Sequence, residues 1–158
     1  MRRWEQWRQS ARDPEVARAI RDQYAAVDEA VSRRGPTCWI SGRCCRFDEF
    51  DHRLYVTGLE IAWVLEQVVS AADGRGLRGA GSAPGCPFQI DGLCSIHDAR
   101  PLGCRVFFCQ QGTEDWQREL YEEHQAAIRR IHDRFGVDYE YMEWRAGLAA
   151  SNGTSPRP

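Results

Sequence analysis

Seven cysteines, all lying between Cys38 and Cys109, are the residues of this 158-residue chain whose type and spacing could do chemistry. They fall into two groups. The first is Cys38-x5-Cys44-Cys45, and the second is Cys86-x7-Cys94-x9-Cys104-x4-Cys109. Thiolates are soft ligands. Four of them hold zinc in a tetrahedron with bonds of about 2.3 Å, and four also hold a [4Fe–4S] cluster. Neither group repeats the close Cys-x2-Cys pairs of common zinc ribbons. Cys86, Cys94, Cys104 and Cys109 make a four-ligand set, whereas Cys38, Cys44 and Cys45 make an incomplete one. Seven thiols cannot fill two closed four-thiolate sites without a shared thiolate or another ligand such as His97. One four-iron cluster would leave three thiols spare. Adjacent Cys44 and Cys45 point in different directions in most backbone conformations, so one can bind while the other packs or joins a second ion.

Two other uses of cysteine compete with metal binding. A free thiol is a common small core residue. A disulfide framework is disfavoured by the odd count. The N-terminus, Met1-Arg2-Arg3-Trp4, is basic but leads into no apolar h-region. A signal peptide is therefore not expected, and the cytoplasm is the expected location. Thiols stay reduced there, and clustered cysteines are more often metal ligands.

Further residues frame the two groups: Cys86-Pro87-Phe88, Gly92-Leu93-Cys94, Ile96, Arg100-Pro101, Cys104-Arg105 and Cys109. With Cys38 and Cys44-Cys45, this pattern resembles the cysteine-cluster proteins described as a zinc- or iron-chelating domain, the Cys-x2-Cys-x2-Cys-Cys family. The resemblance spans about residues 38–109. It implies metal binding, with zinc, iron or an iron–sulfur cluster as the metal. The sequence departs from the family at three places. Ser41 stands where a further cysteine is frequent, His97 where a tyrosine is frequent, and Phe108 where a proline often precedes the last cysteine. Arg100 and Arg105 are expected in a second shell, where guanidinium N–H groups can offset the charge of about -2 on a zinc tetrathiolate. His52, His124 and His132 are expected to face solvent or cap helices.

The elements that must position these residues can be read from periodicity and turn chemistry. Residues 1–34 are predicted helical, with Ile20, Tyr24, Val27 and Val31 on one face and a helix start at Asp13-Pro14-Glu15. Gly35-Pro36 closes the segment. Leu54-Tyr55-Val56 reads as a short strand. Thr57-Gly58-Leu59-Glu60 is a capping box that opens a helix to about Ala72, whose apolar set is Ile61, Val64, Leu65, Val68 and Val69. Residues 73–85 read as a mobile loop. Pro87 to Cys94 reads as a β-hairpin, because Asp91-Gly92 tolerates positive φ at both turn positions. That turn sets Cys94 opposite Gln89. Ser95 to Ala99 is a helical turn ended by Pro101. Thr113-Glu114-Asp115 caps a helix from Glu114 to Phe135, with Gly136 as its stop. Its inner stripe is Leu120, His124, Ala127, Ile128 and Ile131. Tyr139 to Ala149 is predicted as another helix, and 151–158 as a disordered tail.

These elements add up to an α+β fold, mostly α-helical, with helices packed around a cysteine-rich hairpin and loop core. The chain is expected to be a single domain over 1–150, and it is long enough to bury a real core. Twenty-one basic and 23 acidic residues give a net charge of -2, which offers no electrostatic case for nucleic acid or anionic membrane. Every basic residue is arginine, so lysine Schiff-base chemistry is excluded. The sequence supports three functional readings: a structural or metal-handling chelator of zinc or iron, a metal-dependent or iron–sulfur enzyme, and a helical interaction protein with a structural metal. The terminal helices carry the aromatic residues that a homodimer or a protein partner would use. No general base stands out beside the cysteines.

Overall fold

The computed structural model describes residues 2–69 and 84–152. Among these residues the chain forms six α-helices and two antiparallel two-stranded sheets. The α+β, mostly helical expectation holds. The predicted loop over 73–85 lies outside the described residues apart from Pro84 and Gly85.

The N-terminal segment is two helices, α1 (Arg2–Arg12) and α2 (Pro14–Arg34). Asp13 separates them. Its carboxylate accepts from the amides of Glu15 at 2.8 Å and Val16 at 3.2 Å, which satisfies two of the orphan donors at the start of α2. Gly35, in the left-handed region at φ 63°, ends α2. Ile20, Tyr24 and Val27 are buried along its inner face.

Strand β1 (Tyr55–Thr57) leads directly into α3 (Gly58–Val69). The capping box forms as its sequence dictates. Thr57 Oγ1 accepts from Glu60 N at 3.2 Å, and Glu60 Oε2 accepts from Thr57 N at 2.9 Å. Glu60 Oε1 also accepts from Tyr24 Oη at 2.9 Å and from Leu102 N at 3.1 Å. One buried carboxylate thus ties α2, α3 and the Leu102 segment together. Gly58 allows α1 to approach, since a Cβ there would lie 2.5 Å from the Trp7 ring.

The hairpin β2 (Gln89–Ile90) and β3 (Leu93–Cys94) pairs Gln89 with Cys94 across the Asp91-Gly92 turn. Both turn residues have positive φ, 51° and 79°. A 3₁₀ turn (His97–Ala99) follows, and then a short helix that the sequence reading did not anticipate, α4 (Leu102–Val106). Pro101 starts it as N-cap instead of only ending the preceding turn.

Helix α5 (Glu114–Phe135) has the predicted bounds, and Gly136 stops it at φ 63°. Thr113 does not cap it with its side chain; the hydroxyl donates to Gln110 O at 2.6 Å instead. Leu120, His124, Ile128 and Ile131 are buried, while Ala127 is half-buried. The segment predicted as a helix from Tyr139 begins as strand β4 (Tyr141–Glu143), which pairs antiparallel with β1, and only then becomes α6 (Trp144–Ser151). β1 offers an edge that β4 completes, so tertiary pairing outweighs the local helical pattern. Ser151, predicted as the start of a tail, is the buried last residue of α6.

The core packs α1 against α3, and α2 against α1, α4 and α5, with Trp7, Ile20, Leu59, Ile61, Trp144 and Leu148 among its most enclosed side chains. Trp7 donates its indole N–H to Asp138 O at 2.8 Å. No helix among the described residues is long and apolar enough to cross a membrane. Among the described residues, the exposed large apolar side chains lie outside α1, α2, α5 and α6. The exposed ones are Trp39, Ile40, Tyr55, Ile90, Leu93, Phe107 and Tyr141.

Candidate metal centre

Four separate stretches deliver cysteines to one side of this core. Gly42, at φ 70°, opens a 3₁₀ turn over Arg43–Cys45. The turn brings the adjacent Cys44 and Cys45 sulfurs to 4.0 Å from each other. A tight turn thus overcomes the divergence expected of neighbouring side chains. The second stretch arrives at Gly85-Cys86. Cys86 N donates to Cys45 O at 2.7 Å, and a Cβ on Gly85 would sit 2.5 Å from that carbonyl. Only glycine permits this approach. Strand β3 brings Cys94. Gln89, on β2, donates to Gly42 O at 3.0 Å and so fastens the hairpin to the first cysteine turn. Helix α4 brings Cys104.

Cys45 is the hub. Its sulfur lies 4.0 Å from that of Cys44, and Cys86 and Cys94, from two other segments, are near enough to perturb it. Those contacts lower the Cys44 thiol to about 7 and the Cys94 thiol to about 6, and they lower Cys86 as well. The same contacts, with burial, push Cys45 up. Amide donors support the ionised forms. The N–H of Phe88 points to the Cys86 sulfur and that of Ile96 to the Cys94 sulfur, each two residues beyond its cysteine. Trp144 Nε1 is buried, and it favours the Cys86 thiolate. Cys104 lies behind the group. Burial pushes its thiol well up, and the neighbouring Cys86 and Cys44 add to the shift.

The remaining two cysteines lie apart from this hub. Cys109 Sγ is 3.8 Å from Ser41 Oγ, and Cys38 is exposed. The grouping therefore differs from the division by sequence order: Cys44 and Cys45 join Cys86 and Cys94, and Cys109 joins Ser41. All seven cysteines are free thiols.

The two arginines separate in role. The positive charge of Arg100 favours the thiolates of Cys44, Cys94 and Cys104. Arg105 is buried and occupied elsewhere. Its guanidinium donates to Arg100 O at 2.7 Å, Asp98 O at 2.6 Å and Asp28 Oδ2 at 2.7 Å, and it lies over the Tyr24 ring at 4.4 Å. His97 is exposed beside Asp98. His124 and His132 are buried, contrary to expectation, and burial lowers both. His132 Nδ1 donates to Val137 O at 3.1 Å at the end of α5, and His124 bonds to Gln23. His52 is not isolated: Nε2 donates to Cys44 O at 3.2 Å, and the ring stacks on Phe107.

No group of three or more His, Cys, Asp or Glu side chains among the described residues is already disposed to hold a metal ion. The donor set nonetheless suits a soft cation. A tetrahedral tetrathiolate with bonds of about 2.3 Å has sulfurs about 3.8 Å apart, close to the Cys44–Cys45 separation of 4.0 Å. Comparison with family models, curated proteins and solved structures finds no match to this chain.

Proposed function

We propose that this protein binds a single thiophilic metal ion, zinc or iron, through Cys44, Cys45, Cys86 and Cys94. The observation that carries the reading is the placement of the Cys45 thiol among three others from separate segments. A cation bound among these sulfurs would displace the Cys45 proton and draw four thiolates around one centre, which is the usual coupling of metal binding to proton release. The 4.0 Å spacing of Cys44 and Cys45 favours one ion over a four-iron cluster, whose thiolates sit on separate irons and so lie further apart. Arg100 offsets the surplus negative charge, and the Phe88 and Ile96 amides orient two of the ligands. Cys104 adjoins the centre, while Cys38 and Cys109 stand outside it.

The role we assign is structural or metal-handling, in a reducing compartment such as the cytoplasm. Membership of the cysteine-cluster family belongs to the same proposal and rests on the residue matches alone. When bound, the ion would supply a cross-link between the first cysteine turn and the hairpin. Metal analysis of aerobically and anaerobically purified protein, with visible absorption, tests the reading. We expect one equivalent of zinc or iron, lost in Cys45→Ser and retained in Cys38→Ser. Folded protein holding neither metal would overturn it.

A further inference from the structure

Beside the thiol centre lies a cavity of about 200 Å³ that opens to solvent. Its wall is mostly aromatic: His52, Tyr55, Phe107, Tyr121 and Tyr141 all line it. These rings form a connected set. Tyr55 stacks on Tyr141 across the β1–β4 pair with centroids 5.6 Å apart, His52 stacks on Phe107 at 5.5 Å, and the Tyr121 and Tyr141 hydroxyls bond to each other. Cys44 and Cys104 line the inner end.

A buried carboxylate, Glu60, lies near this wall. Glu60 is 1% exposed and accepts from four groups, the Tyr24 hydroxyl, the Thr57 amide and hydroxyl, and the Leu102 amide. Burial raises the Glu60 carboxyl, and these four neutral partners hold it down. Its field reaches Tyr121 and Tyr141. Arg53 is the one cation on the wall, and it is engaged by Asp48 Oδ1 at 3.1 Å and by the His52 carbonyl at 3.2 Å. An aromatic wall of this kind attracts positive charge through its ring quadrupoles.

We infer that this cavity is a binding site for a small organic cation of the alkylammonium class, held against Tyr55, Tyr121, Tyr141 and Phe107. The cavity has room for a headgroup of that size and little more. The inference goes beyond metal binding and does not depend on it. The aromatic wall is built by β1, β4 and α5, together with the His52 and Phe107 segments, and it remains if the thiols hold only protons.

Calorimetric titration of the full-length protein with choline tests it. The control ligand is the uncharged isostere in which a tert-butyl group replaces trimethylammonium. Choline is expected to bind one to one, and about tenfold more tightly than the isostere. Tyr141→Leu, at an exposed strand position, is expected to weaken choline several-fold with unchanged helical circular dichroism. Phe107→Leu carries the same test should Tyr141→Leu not fold. Equal binding of both ligands would overturn the inference, since the cavity would then be merely apolar. So would the absence of choline binding, or choline affinity indifferent to the substitutions. Protein that binds choline but contains no metal would reject only the metal reading.

Discussion

At the scale of single residues, the thiol network makes stability depend on pH in a direction that can be worked out. Cys44, Cys86 and Cys94 ionise more readily in the fold than their ordinary value of 9.0. A lowered thiol contributes stability that is present above the unfolded value and lost as pH falls through the folded one, here about 6 to 7 for Cys94 and Cys44. The buried His124 and His132 act in the same direction, because the unfolded chain takes up protons at about 6.5 that the folded one resists. Cys45 and Cys104 are raised and act oppositely, holding protons that the unfolded chain releases above 9.0. Metal-free protein should therefore gain stability from about pH 6 towards 9 and lose it beyond. Urea unfolding across that range measures this, and a steady decline from pH 6 upward would contradict it. Arg105 offers a second test. Its planar fork satisfies two carbonyls and Asp28 at once, which a lysine cannot reproduce. Arg105→Lys should cost about 2 kcal/mol in the same assay while leaving metal content unchanged. A parallel loss of metal would instead place Arg105 at the centre.

At the scale of elements, two glycines set how closely segments approach. Gly58→Ala would drive a methyl into the Trp7 ring and separate α1 from α3, at about 1–3 kcal/mol. Gly85→Ala would press on the Cys45 carbonyl and disrupt the Cys86 amide bond that docks the second cysteine stretch on the first. We therefore expect Gly85→Ala to reduce metal retention during chelator challenge, with helix content intact, whereas Gly58→Ala should lower the melting temperature without changing retention. The difference in legibility between elements has the same physical root. Asp13, the Thr57–Glu60 box, Asp91-Gly92 and Gly136 each act within a few residues, and all four terminate or open elements where local chemistry predicts. β4 was read as helix because its partner β1 lies more than eighty residues away in sequence, and nothing local announces the pairing. The candidate site divides likewise. The seven thiols are visible as residues, and the Gln89–Cys94 register follows from the turn. Assigning Cys45 to the hairpin thiols needs the Gly85 approach and the Gln89–Gly42 bond, which are contacts between distant segments. His52 and the tyrosines gave no signal, because they reach one cavity only through β1–β4 pairing and the position of α5.

At the scale of the whole molecule, the thiol centre packs against a core that extends well beyond it. The packing of α1, α2, α3 and α5 is built on Trp7, Ile20, Val27, Leu59 and Ile128, none of which depends on a ligand. Small zinc modules unfold without metal because they have no such core. This chain should not. Chelator treatment is expected to leave its helical signal intact at room temperature. The centre nonetheless joins Cys44-Cys45 to Cys86 and Cys94, so an ion there would close a loop of about forty residues and restrict the unfolded chain. Binding to the folded form alone, at a thousandfold excess over Kd, is worth about 4 kcal/mol, or roughly 10 °C in melting temperature for a domain of this size. Thermal melts with and without chelator, for wild type and Cys45→Ser, read both expectations together. Wild type should lose its metal-dependent increment on chelation, and Cys45→Ser should start without it. Complete unfolding on chelation would mean that the helical core relies on the ion. A melting temperature blind to chelator in protein that carries metal would mean that the ion sits outside this thiol set.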